Sequence, residues 1–557
     1  LFFQVDSPRK TPAIILLNLQ QGKPMPKFRP AVYFGAAAFI LGTVTAPAQT
    51  PAPPHHVHFT VQAPSTITAP VSGRLLIFLK PGTGDKEVDS NQLSPASIWI
   101  GAREVQSLSA GASVDIDPDA EGIASPAPFT TLATDDYEVQ AVLDVDHTYN
   151  YLGRGPQDWI SPVVALPHWT PGEGADPVLE LTGHPEENAA RVAGLAKARE
   201  QVAPGAVELE EFQSPLLTNF WGHPVSIKAW VVLPPDYAKD KERYPTVYWT
   251  HGFGGTLQFI LPTGLILRER MKDGKMPPMI WVMLDESCPQ GTHEFADSVN
   301  NGPWGTALTT EFIPYLEHKY RMDARTTGRL LNGHSSGGWA TLQLQINYPK
   351  IFGGTWSTSP DSSDFHDFTG PDLYAPNANM YRSSAGSYWP LIRMDGKVVA
   401  TIQQYARMEQ VLGPYGGQLA SFEWVFSPKS DSGAPVQMFN RATGDVDPAV
   451  VAYWHDHYDL ANIVEANWPR LKPDLTGRIH LIVGTADTFY LDGAAHKFEA
   501  VLTRLGAEPH FTYLPDKTHF NLYFVGDDSR ALFDQISAEM YAVARPSAHW
   551  QAHAAAP

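Results

Sequence analysis

Gly333-His334-Ser335-Ser336-Gly337 sets a serine between glycines two places before and two places after it. The pentad follows GRLLNG, which reads as a strand, and precedes GGWATLQLQINYP, a helical stretch ended by Pro349. A serine on such a strand-to-helix turn takes strained backbone angles, and glycines around it leave room for Oγ to stand exposed at the helix N-terminus. Ser335 has glycine at both places, whereas Ser336 has His334 two before it, so Ser335 is the candidate nucleophile. A nucleophilic hydroxyl needs a base, and the base needs a carboxylate to orient it. The strand candidate RIHLIVG runs into Thr485-Ala486-Asp487, and one helix and one strand later the loop Asp516-Lys517-Thr518-His519 supplies an imidazole. Asp487 is the expected acid, with Asp492 as the fallback, and His519 is the expected base. An oxyanion needs donors as well. His251-Gly252-Phe253-Gly254-Gly255 follows the strand candidate PTVYWT, and the backbone amides of Phe253 and Ser336 are assigned to the oxyanion hole.

These groups need a rigid scaffold. From residue 205 to 545, strand-like runs alternate with helical stretches, the pattern of an α/β domain with a mainly parallel sheet. VSIKAWVVLPP, PTVYWTHG, PMIWVMLDE, GRLLNG, GTWSTS, RIHLIVG and HFTYLP are its strand candidates. Ahead of it, residues 57–182 hold short β-branched runs split by Gly, Pro and Asp, among them HFTVQ, GRLLIFLK, ASIWIG, ASVDID, YEVQAVLDV and PVLELT. Such runs without helical periodicity predict an all-β, sandwich-like domain. Residues 183–204 are the expected connector, with a solvated helix over 186–201.

Two tracts, one in the proline-rich segment before this β-rich stretch and one within it, hold metal-ligand residue types. His55, His56 and His58 lie in a proline-rich setting with no fold to fix their geometry. Asp115, Asp117, Asp119, Glu121 and Gly122 resemble a calcium loop, but the glycine comes two places late and Pro126 stands where a bidentate Glu belongs. Neither tract is assigned a metal, and no cofactor is expected.

A chain of 557 residues exceeds what one core organises, which predicts two or three domains. An apolar fraction of 43%, a charged fraction of 18% and 15 tryptophans describe a globular protein. The formal charge of −19 and the lack of a basic cluster exclude nucleic acid as a partner. Met25 followed by Lys27 and Arg29, an apolar run from Ala31 to Val44 and Ala46-Pro47-Ala48 describe a secretory signal peptide over 25–48. Residues 1–24 then lie upstream of the start, 49–56 form a proline-rich linker, and 546–557 form a tail. The expectation is an exported protein, periplasmic or secreted, with no membrane span in the mature chain. Cys288 is the single cysteine, so cores rather than an intrachain disulfide hold the fold, and the thiol is expected to be a small buried hydrophobe.

The C-terminal half resembles the Putative esterase (esterase D-like) family of α/β-hydrolases, which includes feruloyl esterases, enterochelin esterases and mycolyltransferases. The resemblance rests on LPPDYAKDKERYPTVYWTHGFGG (233–255), GHSSGGW (333–339), GTAD (484–487) and the His519 loop. It implies a serine ester hydrolase with Ser335, Asp487 and His519 as its triad, no metal, and a small-molecule or polysaccharide-linked ester as substrate. ADSVNNGPWG (296–305) is similar to a family loop that lines the pocket. The chain departs from the family at 361–475, an insertion with Trp389, Trp424, Trp454, Trp468 and His455-Asp456-His457-Tyr458. A lid or substrate wall is expected there, with most of the aromatics packing a small core of the insertion's own and the two histidines binding no metal. An acyltransferase using the same triad, or a non-catalytic glycan-binding protein, stays open as an alternative.

Overall fold

Short runs buried at nearly every position form the centre of an eight-stranded sheet. Its members are β9 (Val207–Gln213), β10 (Ser226–Val232), β11 (Thr246–Thr250), β12 (Ile280–Leu284), β17 (Arg329–His334), β18 (Gly354–Thr358), β21 (Ile479–Gly484) and β22 (His510–Leu514), in the order β22-β21-β18-β17-β11-β12-β10-β9. β10 runs antiparallel to both neighbours, while β12, β11, β17, β18, β21 and β22 are mutually parallel. Every residue of β11, β12 and β18 is buried. Helices cover both faces, so no position on these strands faces water. Val247, Trp249, Trp281 and Met283 pack with Leu257–Lys272 and Ala531–Ala544, whereas Tyr248, Ile280, Val282 and Leu284 pack with Ile313–Lys319 on the other face. The seven strand candidates of this region all fall in the sheet. β9 is the eighth strand, at the edge.

This computed structural model describes residues 56–120, 124–185, 196, 205–548 and 550. The upstream segment, the expected signal peptide, the linker up to residue 55, the connector helix except Ala196, and residues 551–557 lie outside the described residues. Among the described residues no helix is long and apolar enough to cross a membrane.

Residues 57–182 contribute β1 (Phe59–Gln62), β2 (Val71–Pro81), β3 (Trp99–Leu108), β4 (Ser113–Ile116), β5 (Asp135–Asp144), β6 (Trp159–Ile160), β7 (Val164–Trp169) and β8 (Val178–Glu180). One sheet has the order β4-β1-β8; the other has β3-β2-β5-β6, with β7 also pairing β5. Leu75 to Leu79 on β2 are all buried, and they divide by alternation. Leu75, Ile77 and Leu79 face a core shared with Phe59, Val61 and Leu179 of the small sheet. Leu76 and Phe78 face the opposite way, into a core that holds the 361–475 insertion. The larger of the two β-rich sheets is thus covered on both sides, which is why its central strand reads as an unbroken apolar run.

That second core corrects one expectation. The insertion does not pack around a core of its own. Trp454 and Trp468 are buried, and Trp389 is half-buried, in a cluster that takes in Phe78, Ile100 and Val142 of the β-rich sheet, Trp339 and Leu342 of the helix after the serine turn, and Leu481 of β21. The insertion contains the hairpin β19 (Pro390–Met394) and β20 (Lys397–Thr401), followed by Ile402–Leu412, where Thr401 and Gln404 form a capping box. Its aromatics are buried against three neighbours at once. Polar contacts follow the same path, with Arg74 Nε donating to Val411 O at 2.8 Å and Asn150 Nδ2 to Glu409 O at 2.9 Å. After β12 come two small hairpins, β13 (Ser287–Cys288) with β14 (Gly291–Thr292) and β15 (Asp297–Ser298) with β16 (Gly302–Pro303).

Candidate active site

Ser335 sits between β17 and the helix Ser336–Asn347, at φ 60° and ψ −127°. That region strains any side-chain-bearing residue. The strain is held in place by backbone contacts on both sides. Ser335 N donates to Thr358 O at 3.1 Å, and Ser335 O accepts from Gly338 N at 2.8 Å and Trp339 N at 3.1 Å. Both glycines of the pentad are required by space. A Cβ on Gly333 would stand 2.1 Å from Gly337 O, and one on Gly337 would stand 2.2 Å from His251 O. Gly252 is equally constrained, since a Cβ there would meet Ser335 Cβ at 2.7 Å. The serine turn and the His251-Gly252-Phe253 loop therefore touch backbone to backbone.

The acid and base loops are drawn together in the same manner. A Cβ on Gly484 would lie 1.9 Å from Lys517 O, and Ala486 N donates to that same carbonyl at 3.1 Å. The loops after β21 and β22 are thereby locked, and His519 Nδ1 lies 3.0 Å from Asp487 Oδ2. Asp487 is fully buried and His519 is 5% exposed. Burial alone would raise the Asp487 carboxyl; the charge and hydrogen bond of His519, with the Phe489 amide on Oδ1 at 2.9 Å, outweigh it and hold the group below its ordinary value. Asp492 takes a different partner, accepting from Arg393 Nη2 at 3.1 Å. The His519 ring also packs on His334, the residue before the serine, at 4.4 Å between centroids.

Ser336 is occupied elsewhere. Its Oγ donates to Asp361 Oδ2 at 2.6 Å and accepts from Gln418 Nε2 of the insertion at 3.3 Å. Its amide is the first of the helix, where the chain has no helical carbonyl a turn before it to bond. Phe253, whose amide is the other expected donor, is buried and packs edge-on against Tyr151 at 5.1 Å. Tyr151 belongs to the β-rich segment, and its hydroxyl donates to Gly255 O at 2.8 Å, so that segment buttresses the loop. His251 ties the loop to the end of β12, with Nε2 3.1 Å from Asp285 Oδ1.

Three buried carboxyls around this centre escape sequence reasoning. Burial first, then the charges of Asp361 and Asp285, push Glu286 well above the ordinary range; its Oε2 accepts from Thr250 Oγ1 at 3.0 Å. Burial, then Asp361 and Glu286, do the same to Glu294. Burial pushes Asp361 to about 6, against the opposing hydrogen bond from Ser336. Nothing in LDES, THEF or SPDSSD marks these acids off from solvated loop residues.

A cleft of about 500 Å³ opens beside the His251 loop, walled by Tyr151, Trp221, Asp285, Cys288, Asn301 and Trp304, and not by Ser335, Asp487 or His519. Two members of the 296–305 segment thus line a pocket. Burial pushes the Cys288 thiol up to about 12, leaving no thiolate at neutral pH. The His455 and His457 rings turn to separate partners, Asp456 Oδ1 at 2.9 Å and Tyr453 O at 2.8 Å, and do not converge.

A strained serine beside a glycine-rich loop, with an imidazole bound through Nδ1 to a buried carboxylate nearby, is equipped for attack on an acyl carbon. Comparison with known proteins agrees with that chemistry. The family model "Putative esterase" matches residues 224–535. Esterase Rv1288 of Mycobacterium tuberculosis (strain ATCC 25618 / H37Rv) is 32% identical over 144 residues, 25% of this chain and 30% of the relative. The endo-1,4-beta-xylanase/feruloyl esterase of Xylanibacter ruminicola is 29% identical over 131 residues, 22% of this chain and 18% of the relative. These alignments span less than a third of either relative's length. Among solved structures, a ferulic acid esterase gives a TM-score of 0.38 at 16% identity, covering 61% of this chain and 98% of that one. An S-formylglutathione hydrolase from Agrobacterium tumefaciens gives 0.35 at 15% identity, covering 62% and 97%. With the family match taking in more than half of its residues, the chain belongs to the Putative esterase family.

Proposed function

We propose that the protein is an exported serine carboxylic ester hydrolase that works through an acyl-enzyme. Ser335 Oγ attacks the acyl carbon, and His519 takes its proton and returns it to the leaving alcohol. Asp487 holds the imidazole by Nδ1, which leaves Nε2 for the reacting groups. The amides of Phe253 and Ser336 receive the oxyanion, and water then frees the acid. The observation that carries this reading is the 3.0 Å contact of His519 Nδ1 with a fully buried Asp487 on loops locked together by the Gly484–Lys517 approach. The commitment of the Ser336 hydroxyl to Asp361 supports Ser335 over its neighbour.

Residues 57–182 act in this reading as an all-β module whose Tyr151 steadies the oxyanion loop. The substrate in this reading is an aromatic or polysaccharide-linked carboxylic ester, in keeping with the feruloyl esterase in the name of the Xylanibacter relative. Export rests on the 25–48 segment. The test is labelling of the purified chain with a fluorophosphonate and mapping of the adduct by mass spectrometry. Labelling at Ser335, abolished in Ser335→Ala and in His519→Ala, is expected; a folded wild-type chain that takes no label, or takes it on Ser336, refutes the assignment.

A further inference from the structure

Two tracts that carry no site separately in the sequence meet in the fold. β1 pairs antiparallel with β4, Phe59 opposite Ile116 and Thr60 opposite Asp115. Side chains alternate between the faces of a strand, and directly opposed residues share a face. Val57, Phe59, Val61 and Ile116 are all buried in the core beneath. His56, His58 and Thr60 are therefore aimed outward, with Asp115 and Asp117 beside them. Thr60 Oγ1 donates to Asp115 Oδ1 at 2.7 Å, which fixes that shared outer face. The same register continued by two residues sets His58 across from Asp117. His56 Nδ1 lies 2.6 Å from Asp117 Oδ2, the His56 and His58 ring centroids are 6.0 Å apart, and one ligand atom from each of the three residues lies within 4.8 Å of the others.

We propose that His56, His58 and Asp117 form a binding site for a divalent transition-metal ion, and that zinc is the ion it takes. Two imidazoles and one carboxylate are a donor set for zinc in four-coordination, with water in the open outward position. Calcium and magnesium prefer oxygen ligands, whereas two of the three donors here are imidazole nitrogens. The carboxylate is oriented in advance. Asp117 Oδ1 accepts from the amides of Asp119 and Ala120 at 3.0 and 3.2 Å, which leaves Oδ2 for the ion. His56 is 57% exposed and free to swing, so its contact with Oδ2 widens to the roughly 3.3 Å that separates two ligands of one zinc. The ion clasps the chain entering β1 to the turn leaving β4 and takes no part in ester cleavage.

The other cluster of this kind, Asp364, His366 and Asp459, is already satisfied by the protein. Asp459 Oδ2 accepts from Phe365 N and Tyr374 Oη at 3.0 and 2.6 Å, its Oδ1 accepts from Asn462 N at 3.1 Å, and Asp364 Oδ1 accepts from His366 N at 3.0 Å.

The test is calorimetric titration of the metal-stripped full-length chain with zinc, calcium or magnesium chloride. Thermal melts, and visible absorption after cobalt loading, accompany each titration. One zinc per chain, a melting temperature raised by zinc alone and tetrahedral cobalt bands are expected. Affinity should fall by at least the ~10-fold that loss of a mere supporting contact costs in both His58→Ala and Asp117→Asn, with hydrolysis of a small aryl ester unchanged. His58 is half-buried and the Asp117 side chain is 10% exposed, so circular dichroism verifies that both variants fold. Zinc binding that survives both substitutions overturns the site, as does binding lost in His366→Ala instead, or a preference for calcium. An inactive esterase that still binds zinc in this pattern would refute the catalytic proposal alone.

Discussion

The serine turn is held by its own backbone, whereas the 361–475 insertion beside it is held by residues far away in sequence. In the turn, Gly333, Gly337 and Gly252 each sit where a single added carbon would overlap a neighbour, and the geometry of Ser335 follows from five consecutive residues and one facing loop. In the insertion, Trp454 is fully buried among Phe365, Phe368 and Phe426, within a cluster completed by Phe78 and Ile100 of the β-rich sheet. Local sterics shape the one, and shared burial shapes the other. The two should therefore fail differently. Ser335→Ala changes one polar atom at a position whose strain is fixed by the main chain. The expected result is a fall in kcat of about 10⁶-fold with no loss of thermal stability, read from aryl ester kinetics and calorimetry on one preparation. Residual turnover within tenfold of wild type would mean that the chemistry sits elsewhere and that the turn's rigidity serves only the fold.

The same contrast explains what the sequence disclosed. The pentad, the Asp487 loop and the His519 loop announce themselves because strained turns restrict residue types locally. The central strands are legible because burial on both faces leaves runs such as TVYWT and IWVML with nothing polar enough to be solvated. β9 was not, because VELEEFQ is an edge strand with three glutamates, one of them buried, and an exposed Leu209. Its buried Glu210 is satisfied only in three dimensions, by Lys319 at 2.7 Å and Tyr315 at 2.8 Å. The insertion's aromatics were legible as core, but not whose core, since burial on one chain segment carries no label for its partner. The His56, His58 and Asp117 cluster was hidden for the same reason: its halves are joined by strand register rather than by spacing.

Trp454→Ala probes the second region. The indole makes four buried contacts, counting the bond from Nε1 to Ser427 Oγ at 3.0 Å, and removing it leaves a cavity in the shared cluster. A loss of about 3–5 kcal/mol is expected in denaturant unfolding. Turnover of a small ester by the folded fraction should hardly change, because the insertion's hydrogen bonds to the turn come from Asp361 and Gln418, at 2.6 and 3.3 Å on Ser336 Oγ, and not from Trp454. A kcat that falls in step with stability would join the two regions and replace the contrast with a single cooperative unit.

Asp361 stands on the border, the first residue of the insertion and the acceptor of the Ser336 hydroxyl. Burial raises its carboxyl from 3.8 to about 6, so the folded chain holds this proton more tightly than the unfolded chain does. Its contribution to stability is therefore complete below pH 3.8 and is lost as pH rises through about 6. Asp361→Asn keeps an oxygen for Ser336 and cannot ionise. Relative to wild type it should match at pH 4 and gain up to about 3 kcal/mol by pH 7, with the change concentrated between those values. The measurement is the difference in unfolding free energy across that range. A difference that stays flat with pH would mean that Asp361 is ionised throughout, stabilised by His519 and Ser336 more than it is penalised by burial. The border residue would then belong electrostatically to the catalytic loops, and the insertion would begin only after it.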